Sequence, residues 1–141
     1  LGEDRTPDTQ PAAFDPVFAG ELFFVYLNKK QDSREGIARY RERPAPPAEI
    51  RKTVSGFSLQ LVNAPDLASF RRALDAHEAL LGEILGMEPL KKRLFPDYPG
   101  SVKSLGAWGG DFILATGSAE DQDYFRQKGY SVIHPYREFI L

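Results

Sequence analysis

At 141 residues, 42% apolar and 27% charged, the chain has the length and composition of one globular domain burying roughly two-thirds of its unfolded surface, which excludes a second independent core. Eighteen basic against 20 acidic residues leave a formal charge of −2, too balanced to draw the chain as a whole to nucleic acid or an anionic membrane. The absence of cysteine removes disulfide scaffolds, thiolate metal sites and cysteine nucleophiles together.

Residues 1–20 hold Pro7, Pro11 and Pro16 and no periodic apolar pattern, the composition of a linker or extended arm; residues 21–141 then form the domain. The chain opens on Leu1 rather than methionine, and no basic-then-apolar signal segment follows. An excised piece, a processed chain or part of a longer protein is therefore expected, and the lack of a signal segment and of cysteine suits a cytoplasmic home. Leu22 to Leu27 is the longest apolar run, far too short to span a bilayer. Being apolar on both faces, it suits a buried strand. A short helix is predicted from Asp32 or Ser33 to Arg43, stopped by Pro44, Pro46 and Pro47.

Ile50, Val54, Phe57 and Leu61 recur at helical spacing and predict a core helix over 50–63. Asp66 caps a second helix over 66–85, with Phe70, Leu74, His77, Leu81 and Leu85 on its buried stripe and Gly86 as its stop. Glu78 is assigned to the exposed side. Met87 to Leu94 adds a turn or two. Ser101–Leu105 and Phe112–Thr116 read as strands joined through Gly106-Ala107-Trp108-Gly109-Gly110, and Ser118 with Asp121 forms a capping box for a helix that Gly129 ends. Strands are thus expected over 21–28, 101–106, 111–116 and 130–134. Their order with the helices predicts an α+β fold, a ferredoxin-like split β-α-β with extra helices, in which a mostly antiparallel four-stranded sheet carries helices on one face.

The stretch Lys103 to Asp111 is the most informative for chemistry. Glycines let backbone N–H groups approach an anion, and a lysine three residues upstream can add countercharge. A tight strand connection needs the same glycines. The motif matches neither the dinucleotide fingerprint nor the Walker loop. His77 and His134 stand in no metal-ligand spacing, and no metal site is expected. From Lys29 to Lys52 the local balance is eight basic against four acidic residues, suited either to a phosphorylated substrate or to a solvated helix face.

Lys103, Gly106, Ala107, Gly109 and Gly110 resemble the third glycine-rich motif of the GHMP small-molecule kinases, whose members include mevalonate and phosphomevalonate kinases. Asp111 is most similar to the phosphomevalonate kinase version. Leu74 to Gly86 with Pro89-Leu90 resembles the helix preceding that motif, and Asn28 to Gly36 the polar segment after the first strand of that half. Leu105 and Trp108 depart from the family pattern, replacing a hydroxyl residue and a glycine.

The resemblance spans residues 20–141 and implies the carboxy-terminal half of an ATP-dependent kinase of the mevalonate pathway. It makes Lys103, Gly106, Ala107, Gly109, Gly110 and Asp111 a turn facing phosphate or substrate. Lys29, Lys30, Ser33, Arg34, His77 and Trp108 are its candidates for a substrate wall. For three of these the residues alone favour or allow another role: a hydrogen-bonded core histidine for His77, a helix cap for Ser33, and partner packing for Trp108. ATP and Mg2+ would be bound mainly by an amino-terminal nucleotide-binding domain, since the loop Pro-x-x-x-Gly-Leu-Gly-Ser-Ser-Ala and the family's catalytic residues have no counterpart in these residues. The expected partners are that domain and a small-molecule substrate, with neither nucleic acid nor membrane. The rival reading is a non-catalytic ferredoxin-like binding module, for instance one stacking RNA bases on Phe23, Phe24 and Tyr26.

Overall fold

The structure, a computed structural model, describes residues 11–29, 33–106 and 110–140. Four strands, β1 (Leu22–Tyr26), β2 (Val102–Ser104), β3 (Phe112–Thr116) and β4 (Ile133–Pro135), make one sheet in the order β2-β3-β1-β4. Every neighbouring pair is antiparallel, with Phe24 opposite Leu114 and His134, and Lys103 opposite Leu114. The helices α1 (Ser33–Arg41), α2 (Ala48–Val62), α3 (Leu67–Leu85) and α4 (Leu90–Leu94) fill the crossover from β1 to β2. After β3 come α5 (Asp121–Gln127) and, beyond β4, α6 (Tyr136–Phe139). The α+β class, the split β-α-β order and the antiparallel sheet are those expected.

Local hydrogen bonds set several boundaries. The Asp66 carboxylate accepts from Ser69 N at 2.7 Å and opens α3, while Gly86 closes it in the left-handed region at φ 59°. Ser118 and Asp121 exchange backbone-to-side-chain bonds of 2.7 and 3.3 Å, a reciprocal capping box at the start of α5. At its other end Tyr130 N donates to Phe125 O across Gly129, at φ 89°. This capping is why β4 begins at Ile133 and not at 130: Tyr130 is committed to the helix end and its ring to Phe95, 5.5 Å away.

The distribution of helices differs from the expectation of one covered face. Strand alternation sends Phe23, Val25, Ile113, Ala115 and Val102 to one side, where they pack with Leu90 of α4, Phe95, Tyr98 and Phe125 of α5. Leu22 and Leu114 turn to the other side and meet Phe70 and Leu74 of α3 and Tyr136 of α6, while Phe24 lies against Tyr136 and Phe139. The cause is the apolar run of β1 itself: a strand with apolar residues at successive positions needs both faces covered.

Phe14 and Phe18, within the segment expected as an arm, pack on Phe70, the first stacked and the second tilted, with centroids 5.9 and 5.2 Å away. Phe70 and Leu74 are buried as expected, but Ile50, Val54, Phe57, Leu61 and Leu81 are only half-buried. α2 packs chiefly on another helix, α3, and only Leu61 of the four joins the cluster that includes Leu22 of the sheet.

Edge strand β2 is fastened by Thr116. Its hydroxyl accepts from Ser101 N at 2.9 Å and Arg71 Nε at 2.8 Å, and its carbonyl from Tyr98 OH at 3.0 Å. These bonds satisfy polar groups that burial would otherwise leave costly.

Candidate functional site

The glycine turn grows out of the β2–β3 ladder, which Leu105 N continues by donating to Phe112 O at 3.2 Å. Gly106 has φ 67°, where a side chain is strained although space for it is open. Gly110 is glycine for a different reason: a Cβ there would lie 2.1 Å from the Leu105 carbonyl oxygen. Ala107, Trp108 and Gly109 lie outside the described residues.

Leu27 N donates to Asp111 O at 2.8 Å and ties the turn to the end of β1. Because Tyr26 pairs with Phe112, Asn28 and Lys29 follow β1 at the same end of the sheet as the turn. Lys29 is exposed there, and Asn28, in the left-handed region at φ 56°, donates from Nδ2 to Gly129 O at 2.9 Å. Lys30 falls outside the described residues, Ser33 begins α1, and Arg34 is exposed on it.

Lys103 faces elsewhere. Alternation along β2 turns it toward α3, where its Nζ meets Glu78 Oε1 at 2.9 Å. The two side chains are only 17% and 4% exposed, so Glu78, expected on the outer side, is a buried partner. The available signal was its spacing: Glu78 follows Leu74 by one turn and falls on the buried stripe.

His77 is also buried, edge-on to Phe57 with centroids 6.1 Å apart. Its Nδ1 has no hydrogen-bond partner among the described residues, unlike the bonded core histidine expected. Burial, with a smaller contribution from the Lys103 charge, lowers its pKa from 6.5 to about 4.

Between these two values the unfolded chain takes up a proton that the folded chain refuses, so His77 favours folding above pH 6.5 and loses that contribution as pH falls to about 4. The stake is on the order of 3 kcal/mol. In His77→Gln, denaturation midpoints measured from pH 7 to pH 4 should show a shallower decline than in the parent chain. Parallel profiles would remove the histidine from the account.

Three members of the basic run engage local partners. Arg43 Nη1 donates to Ile84 O at 3.0 Å near the end of α3, Arg51 to Pro46 O at 2.9 Å, and Lys52 pairs with Glu49 at 3.5 Å. Nor does β1 offer an open stacking platform, since Phe23 and Phe24 are 1% and 7% exposed. This disfavours the RNA-reading form of the rival hypothesis. No helix among the described residues is long and apolar enough to cross a membrane.

No protein-family model matches the sequence, and no curated protein matches it either. Solved structures do. A Streptococcus pneumoniae phosphomevalonate kinase superposes with a TM-score of 0.60 at 16% identity over 80% of this chain and 39% of its own. A Lin0012 protein from Listeria innocua gives 0.59 at 14% identity over 81% and 36%. An L. major mevalonate kinase, solved with R-mevalonate, gives 0.56 at 13% identity over 79% and 40%. The chain spans about two-fifths of the length of each. The likeness is therefore one of fold: this chain has the α+β architecture of a part of these kinases.

Proposed function

We propose that the chain is the carboxy-terminal-type half of a GHMP-like kinase that moves the γ-phosphoryl of ATP to mevalonate or phosphomevalonate. The observation that carries this reading is the coincidence of fold and motif. The superposition reaches a phosphomevalonate and a mevalonate kinase, and the motif that resembles their family occupies the β2–β3 turn, at the same sheet end as Asn28 and Lys29. Phosphoryl transfer relies on positioning and electrostatic stabilisation. In this reading the turn and the segment after β1 form the wall that closes over the substrate.

Lys103 has a supporting part in it. Paired with Glu78, it fixes β2 to α3 beneath the turn and leaves countercharge to Lys29 and the residues that follow. Among the described residues no three His, Asp or Glu side chains form a group able to hold a metal ion. In this reading Mg2+ and ATP belong to a nucleotide-binding domain that supplies the phosphate loop.

The 141-residue chain should then show at most weak affinity for MgATP and no phosphoryl transfer on its own. Calorimetric titration checks this: a dissociation constant in the range of about 1–10 μM would overturn the division of labour.

A further inference from the structure

Every described side chain of α1 is exposed: Arg34, Ile37, Ala38, Tyr40 and Arg41. A helix of 9 residues that packs none of these is marginal by itself, so what holds it must act near its ends. At the C-terminal end the hold is visible. Glu42 N and Arg43 N carry the helical bonding on, to Ala38 O and Tyr40 O at 3.2 Å, so the Arg43 backbone moves with α1. Its side chain reaches across to α3, where Nη1 donates to Ile84 O at 3.0 Å. That carbonyl belongs to the last turn of a helix, which leaves such groups unbonded, and the helix dipole there favours a cation.

Gly86 makes room for the arginine. Closing α3 at φ 59° asks for a left-handed residue, which asparagine could also supply. A Cβ here, however, would lie 2.5 Å from Arg43 Cζ and nearer still to Nη2. The guanidinium fills the volume that glycine alone leaves, and the two residues form one joint.

The joint is at the turn end of the sheet. Arg71 of α3 bonds to Thr116 at the far end of β3, whereas Glu78 bonds to Lys103, which is opposite Leu114 and so closer to the glycine turn. Gly86 lies about 12 Å further along the helix. We propose that Arg43 is a positioning residue: seated on α3 in the space over Gly86, it holds α1 at the sheet end where the glycine turn and Lys29 stand. With three arginines against one glutamate, α1 then supplies positive charge to an anionic acceptor. The docking is a property of this chain alone, and its use in binding an acceptor rests on the kinase reading.

Hydrogen exchange on the 141-residue chain tests the docking. Arg43→Ala should speed amide exchange across α1 by about tenfold, the loss of one charge-assisted bond, and leave exchange in β1 and β3 unchanged. Gly86→Ala should do the same to α1. The double variant should exchange there no faster than either single variant, because the added methyl has already displaced the guanidinium. Arg43→Lys, which keeps the charge and a donor for Ile84 O, should recover part of the protection. Should Gly86→Ala fail to fold, the two Arg43 variants decide. Unchanged α1 exchange in Arg43→Ala, or additive effects in the double variant, overturns the joint. In the full natural polypeptide with MgATP, Arg43→Ala should raise KM about tenfold for whichever of mevalonate or phosphomevalonate supports ADP release, with kcat within about twofold. An unchanged KM overturns the positioning role. A parent polypeptide that releases no ADP with either acceptor removes the kinase reading instead, and the exchange result still decides the joint.

Discussion

Replacing Lys103 by alanine should destabilise the chain by about 3 kcal/mol, because it strands the Glu78 carboxylate in the interior. With side chains 17% and 4% exposed, neither partner is screened as a surface pair would be, and loss of one leaves a buried charge rather than a missing contact. The converse change, Glu78→Gln, should cost less, since the partly exposed ammonium can reach water. Chemical denaturation of both single variants and of Lys103→Met/Glu78→Leu measures the coupling. The double variant should regain most of the loss, as apolar replacement of a buried pair often does. If Lys103→Ala keeps its stability yet abolishes transfer in an active kinase, the lysine serves phosphate directly and the packing account is wrong.

The second large effect belongs to Gly110. An alanine Cβ would meet the Leu105 carbonyl oxygen at 2.1 Å, and since that oxygen is backbone, the turn itself must open. A cost of about 1–3 kcal/mol, or more, is expected. Gly106→Ala meets nothing within 4 Å and pays only for its φ of 67°, about 1 kcal/mol. Melting temperatures of the two variants should rank in that order. An equal or reversed ranking would show that the turn is held differently.

These two sites mark how far the sequence could be read. Features made within a few residues were legible: Asp66 and Gly86 at the ends of α3, and the Ser118–Asp121 box. Their hydrogen bonds close locally, so residue type and spacing carry the information. Partnerships across the chain were not. The Lys103–Glu78 pair joins residues 25 apart in sequence, and the close approach of Gly110 to Leu105 depends on the path of the whole turn.

The two-sided helical covering was implicit in the unbroken apolar run of β1, yet the ferredoxin-like order alone favoured one face. α6 was missed because four residues after Pro135 are too few for periodicity to register. In the candidate site, the turn and the polar segment after β1 stood out by composition. His77 is packed against Phe57, and Arg43, Arg51 and Lys52 of the basic run bond to neighbouring helix ends and side chains.

The central claim is that these residues close a phosphoryl-transfer site completed by a nucleotide-binding domain. ADP release by the full natural polypeptide that carries residues 1–141, measured with MgATP and either mevalonate or phosphomevalonate, tests it most directly. The account predicts acceptor-dependent ADP release. A folded full-length protein that binds MgATP but releases no ADP with either acceptor would contradict the substrate assignment, and one that binds no MgATP would contradict the kinase reading itself.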